Sequence, residues 1–343
     1  MLAAIKKEAR LQSNYLSENI KTLYFGGGTP SILSIGELQI LMDVIKVNYP
    51  IESNAEITIE TNPDDLQKEK LEAWKKMGFN RLSIGIQSFF DNDLQWMNRA
   101  HSADQAEQCI KTARDAGFQN ITIDLIYGTP TLSDDAWKKN VEKAISLGID
   151  HISCYALTVE PKTGLDKMIQ QKKIEAIDPD KQARHFKLLI QWMGDAGFEH
   201  YEISNFSRPG KRSKHNSNYW NGIDYLGLGP SAHSFNGLTR QWNISNNALY
   251  IQSLERDQVP FELEELTSMQ QLNEYIMTSL RTMEGLSLDI VSSKWDENKK
   301  EQILKNAQKP ILQGLMVYDN NNLILSNEGK FFADGIAADL FFV

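Results

Sequence analysis

Residues 121–130, Ile121-Thr-Ile-Asp-Leu-Ile-Tyr-Gly-Thr-Pro130, and the helical stretch at 134–147 behind them decide the fold class. An apolar run interrupted by one carboxylate stops at a glycine and a proline, and an amphipathic helix follows. The same unit recurs outward in both directions. Apolar or alternating runs lie at 22–25, 56–60, 81–86, 121–126 and 151–156, with a weaker one at 201–204. Helical stretches separate them, at 36–49, 67–77, 103–116, 134–147 and 180–196. Three of these stop at Gly78, Gly117 and Gly197, a common C-terminal signal. Strands alternating with helices of this length predict βα units on a parallel sheet, and six units suffice for most of a barrel.

The chain has 343 residues, about two domains' worth unless an α/β barrel takes most of it. At 41% hydrophobic and 24% charged it has ample core and is not a disordered polymer. Acids outnumber bases 45 to 36, a net charge of −9, so a nucleic-acid partner is not expected. No apolar run reaches membrane-spanning length. The charged, amphipathic start MLAAIKKEARLQSNYL does not read as a signal sequence, and two cysteines fit a reducing compartment, so a cytoplasmic location is expected.

The ends of the chain depart from the repeat. Residues 2–19 read as a helix with no strand before it. After about residue 205 periodicity fades into a stretch rich in Asn, Ser, Gly and aromatics. From about 260 helices at 267–282 and 298–314 precede a hairpin around Asp319-Asn-Asn-Asn322 and a last helix at 327–340. The expected organisation is a partial barrel at 1–205, an irregular connecting region at 206–259, and a small winged-helix-like or plain helical module at 260–343.

In parallel βα folds ligands sit at the carboxyl ends of the strands. The first strand ends in Gly26-Gly27-Gly28-Thr29-Pro30, which exposes backbone polar groups but lacks the lysine of a P-loop. The second ends in Glu60, the third runs through Gly85 to Gln87, and the fourth carries Asp124 inside its run. Each carboxylate singly reads as half of an internal salt bridge, to Arg81 or Arg99. Together they describe a polar ring at one mouth of a barrel. Carboxylates and amides suit ribose hydroxyls and an ammonium group, and Arg99 suits a carboxylate. The ring fits an amino-acid-bearing nucleoside better than a nucleotide.

FGGGTP at 25–30, TIETNP at 58–63, RLSIGIQSF at 81–89, DLIYGTP at 124–130 and YLGLGPSAHSF at 225–235 resemble, in order and over essentially the whole chain, the radical S-adenosylmethionine (SAM) family related to oxygen-independent coproporphyrinogen III oxidase. The resemblance implies a (β/α) barrel of radical SAM type, here lacking its first strand. It implies a SAM pocket at Gly27, Gly28, Thr29, Glu60, Gln87, Arg99 and Asp124. His215-Asn216-Ser217-Asn218-Tyr219-Trp220 matches the HNxxYW segment of the heme-chaperone branch, HemW. That match implies heme contact at His215, Asn216, Tyr219 and Trp220, delivery to an acceptor protein, and a homodimer. Taken by itself the segment supports less. Arg208, Lys211, Arg212 and Lys214 read either as propionate partners or as a solvated basic loop, and His233 competes with His215. The enzymatic alternative is radical decarboxylation of coproporphyrinogen III.

One departure stands out. The family holds a [4Fe–4S] cluster on a Cys-x3-Cys-x2-Cys loop after its first strand, whereas this sequence has only Cys109 and Cys154. Both read as core residues. The missing strand and cysteines are one piece. The expectation is a chain begun at an internal methionine, whose cluster returns only with that piece; a clusterless relative and an inactive fragment are the alternatives.

Overall fold

The computed structural model describes residues 1–342. Its main sheet has seven strands: β1 Ile20–Phe25, β2 Ile51–Thr61, β3 Arg81–Gln87, β4 Asn120–Tyr127, β5 His151–Ala156, β6 Glu199–Glu202 and β7 Asn205–Ser207. The order is β1-β2-β3-β4-β5-β7-β6, and β2 to β5 run parallel. The repeat read from the sequence therefore holds through β5. The weak run at 201–204 does not make a sixth parallel unit. The chain turns back there, so that β7 pairs antiparallel with β5 and β6 pairs antiparallel with β7. A strand that returns after two residues has no room for a crossover helix and must be antiparallel.

Local chemistry sets the helix ends. Ser102 and Gln105 form a reciprocal capping box at the start of Ala103–Asp115, and Ser133 caps Asp134–Ser146. Helix Lys68–Met77 closes on Gly78 in the left-handed region. The helix read over 2–19 stops at Leu11, because Ser13-Asn-Tyr-Leu-Ser-Glu-Asn19 offers little helix propensity.

The chain packs as two units, Tyr24–Ile32 with Ile57–Ser213, and Met1–Leu23 with Leu33–Glu56 and Lys214–Val343. In the first, Ile59, Leu82, Ile84, Ile123, Leu125 and Ile152 are wholly out of solvent, as are Trp74, Phe118 and Trp137 from the helices and turns. In the second, β8 His233–Phe235 and β9 Thr239–Asn243, inside the segment that reads as irregular, form an antiparallel sheet with β10 Phe261–Glu265 just beyond it. Its strands are too short and polar to announce themselves. The same unit carries helix Ser268–Leu280, β11 Leu286–Ser287, helices Leu288–Lys294 and Glu297–Leu312, and the hairpin β12 Met316–Asp319 with β13 Asn322–Leu325. The sheet order β11-β13-β12 is the connectivity of a winged helix. Asn320 and Asn321 both have positive φ, which the tight two-residue turn between the last strands requires. No helix among the described residues is long and apolar enough to cross a membrane.

One buried acid fastens helix Leu2–Leu11 to the 229–250 segment. Glu8 is fully buried and accepts from the Gly229 N–H at 2.8 Å, the Asn243 amide at 2.5 Å and the Tyr250 hydroxyl. Burial raises its pKa, and these donors oppose the rise. Glu8→Ala would strand all three donors and is expected to cost about 3 kcal/mol of unfolding free energy in denaturant melts. Glu8→Gln keeps an acceptor for two of them and should lose less. Equal melts for Glu8→Ala and the parent would contradict this role.

Candidate functional site

The polar residues singled out at the strand ends all lie in the unit that contains β3 and β4, and the structure brings most of them together. Glu60, half-buried at the end of β2, accepts a hydrogen bond from the Tyr24 hydroxyl at 2.7 Å. Behind this pair the chain turns through Gly26. A Cβ there would lie 2.5 Å from the Tyr24 ring and 2.8 Å from the Glu60 carboxyl. Gly27 has φ +76°, and neither Gly27 nor Gly28 has any neighbour within 4 Å of a Cβ position. The turn is therefore closed beneath and open above, as a backbone that meets a ligand must be. Thr29 follows, half-buried, its carbonyl accepting from Ile32 N–H at 3.1 Å.

A second group surrounds Gly85 on β3. A Cβ there would sit 2.9 Å from the Gln87 amide nitrogen, 3.4 Å from the Arg99 guanidinium and 3.6 Å from the Asn62 carbonyl. Arg99 donates to Asn62 Oδ1 at 2.7 Å and to the Gly85 carbonyl at 3.4 Å. It forms no ion pair with Glu60 or Asp124, so the salt-bridge reading of those carboxylates does not hold. Arg81 is buried and donates to Asn120 Oδ1 at 2.5 Å instead.

Asp124 sits on β4 in register with Ser153 of β5. Burial pushes its pKa up to about 7, and the Glu60 charge adds to the rise. The Ser153 hydroxyl, Arg81 and Arg99 oppose it without winning. Burial also lowers the pKa of Arg99, against the pull of Asp64 and Asp124. Two carboxyl groups close enough for the Glu60 charge to act on Asp124 favour a cationic guest. The donor set fits SAM as the sequence resemblance implies it: carboxylates for ammonium and sulfonium, amides and Tyr24 for hydroxyls, Arg99 for a carboxylate. Tyr24 and Asn62 were not read as site residues. Asn62 lies inside the quoted TIETNP segment and Tyr24 inside the run at 22–25, directly before the glycine turn.

The cysteines do not fit a cluster. Cys109 is buried on helix Ala103–Asp115 with its thiol bonded to the Ala106 carbonyl at 3.2 Å, and burial pushes its pKa up to about 12. Cys154 is buried in β5 and its pKa is raised as well. Such thiols stay protonated and ligate poorly. Among the described residues, no three His, Cys, Asp or Glu side chains are grouped to hold a metal.

The HNxxYW segment lies in the other unit and forms helix Lys214–Trp220. Glu56 accepts from the first two helical N–H groups, of Lys214 at 3.2 Å and His215 at 3.0 Å, so a carboxylate from β2 caps the helix. His215 Nδ1 is 3.0 Å from the Thr22 hydroxyl, which Asn218 also approaches at 3.5 Å. The His215 ring meets the Tyr219 ring edge-on at 5.0 Å, and Tyr219 meets Tyr225 at 4.7 Å. Tyr219 is exposed, Asn216 and Trp220 are half-buried, and the Arg281 guanidinium lies 5.9 Å over the Trp220 ring. Which atom donates in the Thr22–His215 pair depends on the imidazole tautomer; the tautomer with its proton on Nδ1 would turn Nε2 into a metal-binding acceptor, the second-sphere pattern of iron-ligating histidines. This fits an iron porphyrin laid against aromatic edges. Thr22 and Glu56 had no sequence signal, being more than 150 residues away from the helix they hold. His233 is exposed on β8 and stacks on Trp242 at 6.3 Å. The basic loop is not one anion site. Arg208 lies 4.3 Å over Phe198, Arg212 pairs with Glu199 at 3.0 Å, Lys211 with Asp150 at 3.5 Å, and Lys214 donates to the Asn54 carbonyl at 3.5 Å.

The model of the radical SAM superfamily matches residues 2–144. A protein of Mycobacterium tuberculosis named heme chaperone HemW is 33% identical over 341 residues, 99% of this chain and 85% of its own length. The Bacillus subtilis protein of that name is 32% identical, with 93% and 84% covered. The solved structure of coproporphyrinogen III oxidase (HemN) from Escherichia coli superposes with a TM-score of 0.85 at 22% identity, over 99% of this chain and 82% of that one. The partial radical SAM barrel with its C-terminal module is thereby shared with that structure. The chain belongs to the HemW family of the radical SAM superfamily.

Asp124 offers a direct check of the pocket's electrostatics. Its value of about 7 in the fold lies above the ~3.9 of an unfolded chain. The contribution of its proton to stability is therefore complete below about pH 4 and lost as pH rises through 7. Asp124→Asn should gain in Tm over the parent on going from pH 5 to pH 8. A gap that stays constant or closes would contradict the buried-carboxyl account.

Proposed function

We propose that this HemW-family chain binds heme at helix Lys214–Trp220 and hands it to an acceptor protein, while SAM occupies the strand-end pocket of the other unit. The observation that carries the heme reading is the placement of the HNxxYW histidine: its ring is oriented by Thr22, its helix is started by Glu56, and Tyr219 stands beside it. His215 Nε2 is the axial ligand in this reading, with Tyr219 and Trp220 against the macrocycle. The kinship with proteins named heme chaperones points the same way.

In the pocket, Gly27, Gly28 and Thr29 border the amino-acid end of SAM, with Arg99 on its carboxylate and Glu60 and Asp124 on its cationic groups. A [4Fe–4S] cluster would supply electrons to SAM, but the residues of this chain do not fit one, and SAM enters here as a bound ligand only. The acceptor protein and a homodimer remain part of the proposal.

Titration of the full chain with ferric heme, followed at the Soret band, tests the heme site. His215→Ala should shift the band and weaken binding at least tenfold; Thr22→Val, which removes the hydroxyl beside His215 Nδ1 and Asn218, should cost about tenfold. An unshifted band with parental affinity in His215→Ala would move the ligand elsewhere. Anaerobic turnover of coproporphyrinogen III by this chain at catalytic rates would replace the chaperone reading with an enzymatic one.

Equilibrium dialysis with SAM tests the pocket. Glu60→Ala removes a charged partner and is expected to weaken SAM about tenfold or more. Unaltered affinity would leave Glu60 as no more than the acceptor for Tyr24.

A further inference from the structure

The end of β3 carries an irregularity that the SAM reading does not explain. Between Ile84 and Gln87 the register against β4 shifts, and Gln87 has φ +65°, a conformation that a non-glycine residue adopts only under local constraint. The Ser88 N–H bonds back to the Ile86 carbonyl at 2.8 Å, closing a three-residue γ-turn centred on Gln87. With positive φ at its centre this is the rare, strained form of that turn. Its product is the direction of one side chain: the Gln87 amide folds over Gly85 toward Arg99 and Asn62.

Two residues of one short loop hold the strand end in that shape. The loop follows helix Asp91–Trp96 and is itself pinned by Arg99 N–H to the Leu94 carbonyl at 2.8 Å. Arg99 reaches the Gly85 carbonyl, and His101, two residues on, reaches the Ile86 carbonyl with Nε2 at 3.0 Å. Ile86 O thus takes two donors, the turn's own amide and the imidazole. A carbonyl can only accept, so Nε2 carries the proton. His101 is 3% exposed, and its Nδ1 finds no partner among the described residues. A buried imidazole with one nitrogen unsatisfied is costly, so its single bond is where its use lies. Burial, with Arg99 adding, keeps this histidine below its ordinary pKa and hence neutral, against the bond to Ile86 and the charge of Asp64.

We infer that His101 is a positioning residue for the ligand pocket: its Nε2–H bond to the Ile86 carbonyl holds the strained turn that aims the Gln87 amide at bound SAM. The inference rests on the proposal that SAM occupies this pocket. His101 touches no ligand and acts through Gln87 alone.

The test is a double-mutant cycle on the full chain, read by equilibrium dialysis with SAM, beside hydrogen exchange of residues 85–90 in the ligand-free protein. His101→Leu and Gln87→Ala should each weaken SAM about tenfold, the worth of one well-placed hydrogen bond. In the Gln87→Ala background His101→Leu should cost nothing further, because the two act as one unit. His101→Gln can present an N–H to the same carbonyl and should stay within about threefold of the parent. Exchange at the Ser88 amide should quicken in His101→Leu while β4 stays protected. Parental SAM affinity in His101→Leu, or a second tenfold loss in the Gln87→Ala background, would overturn the inference, as would unchanged Ser88 exchange. If the parent itself binds no SAM while Ser88 exchange quickens in His101→Leu, the SAM reading falls and the brace on the turn stands.

Discussion

Burying the parallel strands on both faces is the constraint on which the rest of the structure depends. Every residue of β3 from Arg81 to Ile86 is buried, and β4 is nearly as dry. An unpaired polar side chain is costly in an interior of that kind. Arg81 pays for its place with Asn120, and His151 sits between Thr122 and Tyr201 at 2.5 and 2.8 Å. Further polar groups gather at Glu60 and Gln87 near the ends of β2 and β3, at Asp124 within β4 and at Arg99 in the loop beside them. The pocket follows from the sheet rather than being added to it, and partial burial there raises the pKa of Asp124 and lowers that of Arg99.

That constraint also explains what the sequence could disclose. Alternation of apolar runs and amphipathic helices was readable from 22 to 196 because burial enforces it residue by residue. The strand-end polar residues were readable for the same reason, since Glu60 and Asp124 stand out against apolar neighbours. Reading failed where burial is partial. The run at 201–204 looked like one more strand of the repeat, but Asn205-Phe-Ser207 returns antiparallel beside β5. Strands β8 to β10 alternate too weakly to be seen, and helix Leu288–Lys294 is too short. Partners distant in sequence, Thr22 and Glu56 for His215 or Glu8 for Gly229, left no local mark.

The two candidate sites differ in how they are built. The SAM pocket uses rigid strand ends and one loop, Asn98-Arg-Ala-His101, that grips consecutive carbonyls of β3. The heme candidate uses a seven-residue helix that is too short to stand alone and depends on a remote carboxylate for its first turn. A cargo site on a lightly anchored helix suits release to an acceptor, whereas a braced pocket suits a ligand that stays.

The central claim is that a histidine of this chain ligates the iron of bound heme. Electron–nuclear double resonance of the ferric heme complex, made with nitrogen-15 in histidine only, reads that bond directly. The account predicts a strong nitrogen-15 coupling from one imidazole, retained when His233 is replaced and absent when His215 is replaced. A heme complex with no nitrogen-15 coupling, or one whose coupling follows His233, would contradict it.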